Sequence, residues 1–353
     1  MLLLDELLHK MTLVLAKSSY IHQEDTQRDS LPGLSDCPPK SEPQYVEEAK
    51  RLMDLCAQLH VDIVSIDDSQ YPENLRTIPD PPSILFVKGS TMPTDRLSVG
   101  LVGTRRASGA GKQIASEIAE DLARAGITIV SGLAYGIDAA AHRGALSVGG
   151  RTIACLGQGP DVVYPKSNFD LYGTIPSNGA LISEYPPGTE AKPWHFPRRN
   201  RLIAGLSLGL VVIEAGEKSG ALITADWALR QGKPVMAVPG SVKSIVCRGT
   251  NRLIQDGAYL VTCAEDVLSF LRKENEYMPE VCGTRRVEAL TLEESVVLEA
   301  VGRGESLDQI CSGMNMPVSK IIAILSSLEV RGIVHSVAGG KYILSNIGDA
   351  HIN

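Results

Sequence analysis

The sequence predicts an α/β protein built on a doubly wound, mostly parallel sheet. Three observations carry that prediction. Seven short apolar runs, at residues 84–87, 99–102, 127–130, 152–156, 180–182, 208–213 and 235–238, lack the polar alternation of a half-exposed strand. Strands buried on both faces read this way. Helical periodicity fills most of the gaps, notably at 108–125, 136–148 and 221–231. Glycine turns join the two kinds of element, and right-handed crossovers place ligands of such a sheet at the carboxyl ends of its strands.

Composition bounds the rest. A chain of 353 residues with 44% hydrophobic and 21% charged residues has room for more than one soluble domain. The seven cysteines are scattered, and none forms a C-x-x-C pair. This pattern predicts reduced thiols in a cytoplasmic protein, with no metal site. The opening Met1-Leu2-Leu3-Leu4-Asp5-Glu6 carries acids where a signal peptide needs bases. No apolar run reaches the ~18 residues of a membrane span, so no membrane association is expected.

In chain order, residues 1–17 carry leucines at helical spacing. Residues 23–44, rich in Pro, Ser and Asp, read as a linker or loop. Residues 45–60 resume an amphipathic helix, and 61–66 alternate like a short strand. Pro79, Pro81 and Pro82 then close a helical N-terminal segment, 1–80. The sheet domain spans 81–272. A charged stretch, 273–289, is a second linker before a small unit at 290–353. That unit reads as a helix at 292–301 and a short helix at 306–311 capped by Ser306. A helix at 317–331 follows, with Pro317 at its first position and Gly332 past its end, and then a hairpin turning at Gly339-Gly340. Three helices and a hairpin predict a winged helix-turn-helix.

The candidate binding residues lie where strands end. His195-Phe196-Pro197-Arg198-Arg199-Asn200-Arg201 packs three arginines into four residues of an acidic chain of net charge −7. Guanidinium groups so crowded repel one another unless an anion sits between them, and each matches phosphate with paired hydrogen bonds. Arg199 or Arg201 could instead pair with a carboxylate such as Glu184 or Glu214. Gly103-Thr104-Arg105-Arg106 follows a strand and opens a helix, so that Arg105 and Arg106 flank a natural anion position, or else form a surface pair. The nearby Gly109-Ala110-Gly111-Lys112-Gln113 is not a phosphate-binding P-loop. Arg106 stands where the first glycine belongs, and Gln113 replaces the magnesium-binding hydroxyl.

In Ser131-Gly132-Leu133-Ala134-Tyr135-Gly136-Ile137-Asp138, Gly132 and Gly136 permit close backbone approach or positive φ. Asp138 and His142, four apart on one helix face, form either an acid/base pair or a structural hydrogen bond. Gly157-Gln158-Gly159 lacks the third glycine of a dinucleotide fingerprint. Lys166, between Tyr164 and Phe169, joins a phosphate-binding cation to rings that either stack on bases or fill the core. Ser219 can cap a helix that follows a buried strand, and Arg248 and Arg252 lie on another helix start after a glycine turn.

These segments, in this order, resemble the DprA/Smf family of DNA-processing proteins over roughly residues 60–272. The resemblance rests on G-T-R-R, S-G-L-A-Y-G-I-D-A-A-A-H, Y-P-x-x-N, F-P-R-R-N-R-L-I-A-G-L-S, E-A-x-x-x-S-G-A-L-I-T-A and V-P-G-S. Tyr71-Pro72-Glu73-Asn74-Leu75 and Pro81-Pro82 fit the family's entry to the fold. The resemblance implies an extended Rossmann fold that binds single-stranded DNA as a homodimer. It also implies that the protein protects incoming DNA and loads RecA onto it during natural transformation, without catalysis or cofactor. It carries DNA contacts onto Arg105, Lys166 and Phe169, with Arg198, Arg199 and Arg201 as further contacts. The small C-terminal unit has few bases (Lys320, Arg331 and Lys341), which argues against duplex reading and against a transcription regulator built around it.

An enzymatic alternative exists on the same kind of sheet, the nucleotide phosphoribohydrolases. Their P-G-G-x-G-T-x-x-E signature is absent here. The corresponding stretch reads Glu214-Ala215-Gly216-Glu217-Lys218-Ser219-Gly220-Ala221-Leu222, without the downstream carboxylate.

Overall fold

The computed structural model describes residues 11–12, 43–274, 291–305, 307–314, 316–330, 333–337 and 341–344. The helix expected at 1–17, the linkers at 23–44 and 273–289, the Ser306 cap and the Gly332 and Gly339-Gly340 turns lie wholly or mostly outside them. The chain divides into two compact units, residues 1–280 and 281–353.

In the first unit, helix α1 (Pro43–Gln58) precedes β1 (Asp62–Ser65), the one-turn α2 (Glu73–Arg76) and β2 (Ile84–Gly89). The expected alternation of strand and helix then follows: β3 (Ser98–Val102), α3 (Gly109–Arg124), β4 (Thr128–Ser131), α4 (Ile137–Ser147), β5 (Thr152–Leu156), α5 (Phe169–Thr174), β6 (Gly179–Ser183), α6 (His195–Leu206), β7 (Gly209–Val212), α7 (Gly220–Arg230), β8 (Val235–Ala237), α8 (Arg248–Gln255), β9 (Tyr259–Leu260) and α9 (Ala264–Glu274). All seven apolar runs are strands, and β3 to β7 are buried along their whole length. β9, two exposed residues inside the short apolar stretch Ala258-Tyr259-Leu260-Val261, was not among the expected strands.

The nine strands are ordered β1-β2-β6-β5-β4-β3-β7-β8-β9. The seven from β6 to β9 run parallel, while β2 pairs antiparallel with β6 and β1 antiparallel with β2. Residues 62–80, expected within a helical N-terminal segment, are therefore part of the sheet domain. β1 joins the sheet edge in register with β2, and Asn74 of α2 donates from Nδ2 to the Leu206 carbonyl at the end of α6, 2.7 Å away. The prolines that suggested a boundary only turn the chain into β2.

One core gathers the inner faces of the sheet with α6 and α7, from Val102 and Val130 to Leu202, Leu210 and Ala225. The main winding point is between β3 and β7: later strands leave β3 through β4, β5 and β6 on one side, and leave β7 through β8 and β9 on the other. Loops on the two sides diverge there, which opens a crevice at the carboxyl edge.

The second unit holds α10 (Leu292–Gly302), α11 (Leu307–Gly313), α12 (Val318–Val330) and an antiparallel pair, β10 (Val334–Val337) and β11 (Lys341–Leu344). Its own core contains Val297, Leu298, Ile310, Ile321, Leu325 and Leu328. Thr291 and Glu294 cap α10 reciprocally: Thr291 Oγ1 accepts the Glu294 N–H at 3.2 Å, and the Thr291 N–H donates to Glu294 Oε2 at 2.8 Å.

Candidate nucleic-acid interface

A cavity of about 510 Å³ opens at the winding point. Its walls are the end of β3 and the turn after it (Val102 to Arg106), Ala134 of the loop after β4 and Asp138 at the start of α4, Tyr164, one face of α6 (Phe196, Pro197, Arg199, Asn200, Ile203) and the first turn of α7 (Ser219, Gly220, Ala221, Ile223, Thr224). The expectation that Gly-turns would converge at the carboxyl edge is met by β3, β4 and β7 together. Ser219 caps α7 as expected, with Oγ accepting the Ala221 N–H at 3.3 Å. The N-terminal end of an eleven-residue helix, with its partial positive charge, thus forms part of the wall.

Phe196 is the hub of the aromatic and cationic contacts. Its ring centroid lies 5.5 Å from that of Tyr164, 5.2 Å from the Arg105 guanidinium carbon and 5.9 Å from that of Arg199. In the sequence the three arginines beside it are the more conspicuous signal, and Phe196 is not among the expected contacts. The available signal was an aromatic residue directly before Pro197 and the basic cluster. Arg105 and Arg106 are exposed on the turn after β3 and make no ion pair among the described residues.

The three clustered arginines have three different fates. They lie inside α6, which begins at His195. Arg198 is half-exposed, with Nη2 3.3 Å from Glu184 Oε1. Arg201 is 1% exposed, its Nη2 2.5 Å from Glu184 Oε1 and its Nη1 donating to the Asp80 carbonyl at 2.9 Å. Its charge is met inside the protein, as in the alternative that pairs Arg201 with Glu184, so Arg201 is not a DNA contact: the helical period turns residue 201 toward α2 and the sheet edge.

Arg199 is 4% exposed but reaches the cavity. Its Nη1 donates to the Gly132 carbonyl at 2.6 Å and also to the Cys155 carbonyl, at the ends of β4 and β5. Its Nε donates to Asn200 Oδ1 at 3.3 Å, and Nη2 has no hydrogen-bond partner among the described residues. Burial lowers its affinity for the proton, and the neighbouring Asp138 carboxylate works the other way.

Glycine is required at both positions singled out after β4. A Cβ at Gly132 would stand 2.6 Å from Arg199 Nη1. Gly136 has φ +79°, and a Cβ there would stand 2.3 Å from the Thr104 carbonyl oxygen.

Asp138 and His142 do not bond to each other. Asp138 Oδ2 accepts the N–H groups of Gly132 (3.1 Å) and Ala134 (3.4 Å), which shapes the loop after β4. Burial raises its carboxyl pKa, against the pull of Arg199 and of those two N–H groups. His142 Nδ1 lies 2.7 Å from Thr152 Oγ1, whose hydrogen goes to the Ile129 carbonyl at 2.8 Å. Nδ1 is therefore the protonated nitrogen. Burial, with Arg199 and Arg143 nearby, lowers the His142 pKa to about 3. The i, i+4 pair is structural, and each member serves a different strand.

Lys166 and Phe169 are not among the cavity's lining residues, although Tyr164 just before them is. Both are exposed, Phe169 to 71%, so the alternative of a core phenylalanine is closed. Tyr164 is 41% exposed. The short turn Lys166–Asn168 is tied to the loop after β4 by Asn168, which donates from Nδ2 to the carbonyls of Leu133 (3.0 Å) and Ala134 (3.3 Å). Arg248 and Arg252 are exposed on α8 and are not among the cavity's lining residues. Arg252 Nε pairs with Asp256 at 3.0 Å. Glu214 is the internal anion of this edge: its two oxygens accept the Ser108 N–H (2.9 Å) and hydroxyl (2.6 Å), which anchors the start of α3.

Among the described residues there is no cluster of His, Cys, Asp or Glu able to hold a metal, and no helix is long and apolar enough to cross a membrane.

Three kinds of comparison agree on what the chain is like. The model of the family described as DNA recombination-mediator protein A matches residues 62–272. The chain is 40% identical to DNA processing protein DprA of Bacillus subtilis over 233 residues, which is 66% of this chain and 78% of the relative. It is 36% identical to protein Smf of Escherichia coli, over 79% of this chain and 76% of that one. The solved structure of DNA processing protein A from Streptococcus pneumoniae superposes with a TM-score of 0.59 at 37% identity, covering 75% of this chain and 94% of that one. That of DNA processing protein A from Helicobacter pylori, described for its unique single-stranded DNA binding mode, gives a TM-score of 0.55 at 31% identity. It covers 61% of this chain and 98% of that one.

Proposed function

The chain belongs to the DNA recombination-mediator protein A family, and from that premise we propose that it is a non-catalytic single-stranded DNA-binding protein that protects incoming DNA and loads RecA onto it during natural transformation. We place it in the cytoplasm as a homodimer. The observation that carries the binding reading is the grouping of unpaired cations with exposed rings at one crevice of an acidic protein. Arg105 stands over Phe196, Arg199 Nη2 and the α7 N-terminus line the same cavity, and Lys166 and Phe169 stand exposed on either side of Asn168, which bonds to Ala134 of the cavity wall. Cations held beside aromatic faces suit a flexible strand whose bases are unpaired, since phosphates meet the cations and bases stack on the rings. A rigid duplex offers no free base face to Phe169 or Tyr164.

On this reading Arg105, Lys166 and Phe169 make the principal contacts. Arg106 and Arg198 add charge at the rim, Gly132, Gly136 and Ser219 shape the backbone around the strand, and Arg248 and Arg252 meet it only if its path continues past α8. Arg199 both fastens the loop after β4 and offers Nη2 to a phosphate. The second unit has few cations, and Lys320 is engaged at 2.5 Å by Glu293. We read it as a winged helix with a role other than duplex recognition.

The test is a titration of the full-length protein with single- and double-stranded oligonucleotides of the same sequence. Tighter single-strand binding, weakened at least tenfold by Arg105→Ala with Lys166→Ala, supports the proposal. Equal affinity for both forms, or no loss in the double variant, refutes it. Sedimentation of the free protein tests the dimer, and strand exchange by RecA on DNA coated with single-strand-binding protein tests the loading step.

A further inference from the structure

Trp194 lies just outside the cavity, and no contact so far described accounts for its surface position. It is 60% exposed, an unusual placement for the largest apolar side chain. Three observations show a built platform. The Lys192 ammonium sits 5.6 Å from the Trp194 ring centroid, and Lys192 makes no ion pair among the described residues. The Trp194 ring meets the buried His195 edge-on, with centroids 6.0 Å apart, and His195 stacks on Tyr185 at 4.0 Å. His195 Nδ1 lies 2.9 Å from the Gly157 carbonyl oxygen, and a carbonyl can only accept, so this nitrogen carries the proton. The Trp194 platform is thereby tied to the turn after β5. The same glycine abuts Phe196: a Cβ on Gly157 would stand 2.9 Å from Phe196 Cδ1. Thus one turn, together with the start of α6, fixes an inward ring beside Arg105 and an outward ring beside Lys192.

We propose that Trp194 and Lys192 form a second stacking position for single-stranded nucleic acid, continuing the strand's path out of the cavity past Phe196. The proposal rests on the single-strand reading of the cavity. The repeated chemistry supports it: each ring has a cation within reach of its face, so a base can stack while the neighbouring phosphate meets the charge. Trp194 supplies the outer stacking face and Lys192 the outer phosphate contact. A strand too short to leave the cavity gains nothing from either.

Tryptophan emission reports the contact directly, because the chain has only two tryptophans, Trp194 and Trp227. The full-length protein is titrated with oligo(dT), following emission, and in parallel with fluorescein-labelled oligo(dT), following anisotropy. The proposal expects emission to be quenched as binding saturates, and Trp194→Phe to abolish the quenching while anisotropy still saturates. It expects Trp194→Ala to weaken binding about five- to a hundred-fold, with Lys192→Ala weakening it less and lowering the salt dependence. Saturable binding with unchanged emission overturns it, as does quenching that survives Trp194→Phe or an affinity unaltered in Trp194→Ala. A wild-type protein that binds no oligo(dT) overturns the cavity reading, and this proposal with it, so the two failures are distinct.

Discussion

The Arg199 guanidinium is fastened to the Gly132 carbonyl, Nη1 to oxygen 2.6 Å, and the space that lets it in is the missing side chain of that same glycine. An alanine Cβ would stand 2.6 to 2.7 Å from Nη1, Cζ and Nη2. A flexible arginine on the surface would swing away at little cost. Arg199 cannot, because it is buried and also donates to Cys155. Gly132→Ala should therefore strand a buried cation from its carbonyl acceptors, lowering stability by about 2 kcal/mol. Oligonucleotide affinity should fall as well, since Nη2 leaves the cavity with the rest of the group. Urea unfolding and a binding titration on one preparation check both effects. A variant with wild-type midpoint and affinity would show that Arg199 is not held as described.

Glu184 and Arg201 should respond asymmetrically to substitution. Their side chains are 18% and 2% exposed. Glu184→Ala leaves Arg201 as a buried cation held only by Asp80, which costs about 3 kcal/mol or more. Arg201→Met removes the buried charge and keeps much of the volume, and Glu184 retains Arg198 at 3.3 Å. It should cost clearly less. Unfolding midpoints of the two variants, compared at equal pH and salt, decide the matter, and a larger loss in Arg201→Met would refute the asymmetry.

The strands were legible because burial on both faces leaves a local mark, an uninterrupted apolar run such as 152–156, which matches β5 residue for residue. The cavity's position followed from the order of strands and helices. The division of labour among the arginines was not legible, because it depends on long-range partners. Arg201 meets Glu184 and Asp80, while Arg199 meets carbonyls brought close only when β4 and β5 pair. The joining of β1 to the sheet was missed for the same reason. An antiparallel partner at β2 leaves no signature in the four residues of β1 beyond alternation, and the intervening prolines looked like a boundary. Phe196 was hidden by the charges around it: its role depends on which face of α6 looks into the crevice.

His142 should make the protein less stable in mild acid. Its pKa falls from an ordinary 6.5 to about 3 in the fold. Between those values the unfolded chain binds a proton that the folded chain refuses, so stability rises with pH there and is lost as pH falls. The steepest dependence for one such group is about 1.4 kcal/mol per pH unit. Asp138, whose pKa is raised, contributes the opposite slope, with stability falling as pH rises through its titration. The two are separated by substitution. His142→Gln should flatten the loss of urea midpoint between about pH 6.5 and about pH 4 relative to wild type. Parallel profiles would mean that the histidine takes up its proton in the folded protein.

Salt dependence should rank the cations by whether the protein already uses their charge. Each phosphate contact on a single strand contributes a slope of about −0.7 in log K against log salt. Arg105 and Lys166 make no ion pair among the described residues, so Arg105→Ala and Lys166→Ala should each lower the slope by about 0.7. Arg198 is half-engaged by Glu184, and removing it should change the slope by less. Arg252 is paired with Asp256 and does not line the cavity, so Arg252→Ala should leave the slope unaltered. Binding isotherms over a series of salt concentrations give the slopes. If Arg252 lowers the slope as much as Arg105, the strand runs past α8 and the cavity is only one end of its path. If none of the four does, the affinity of this acidic protein for DNA does not come from phosphate contacts at this edge.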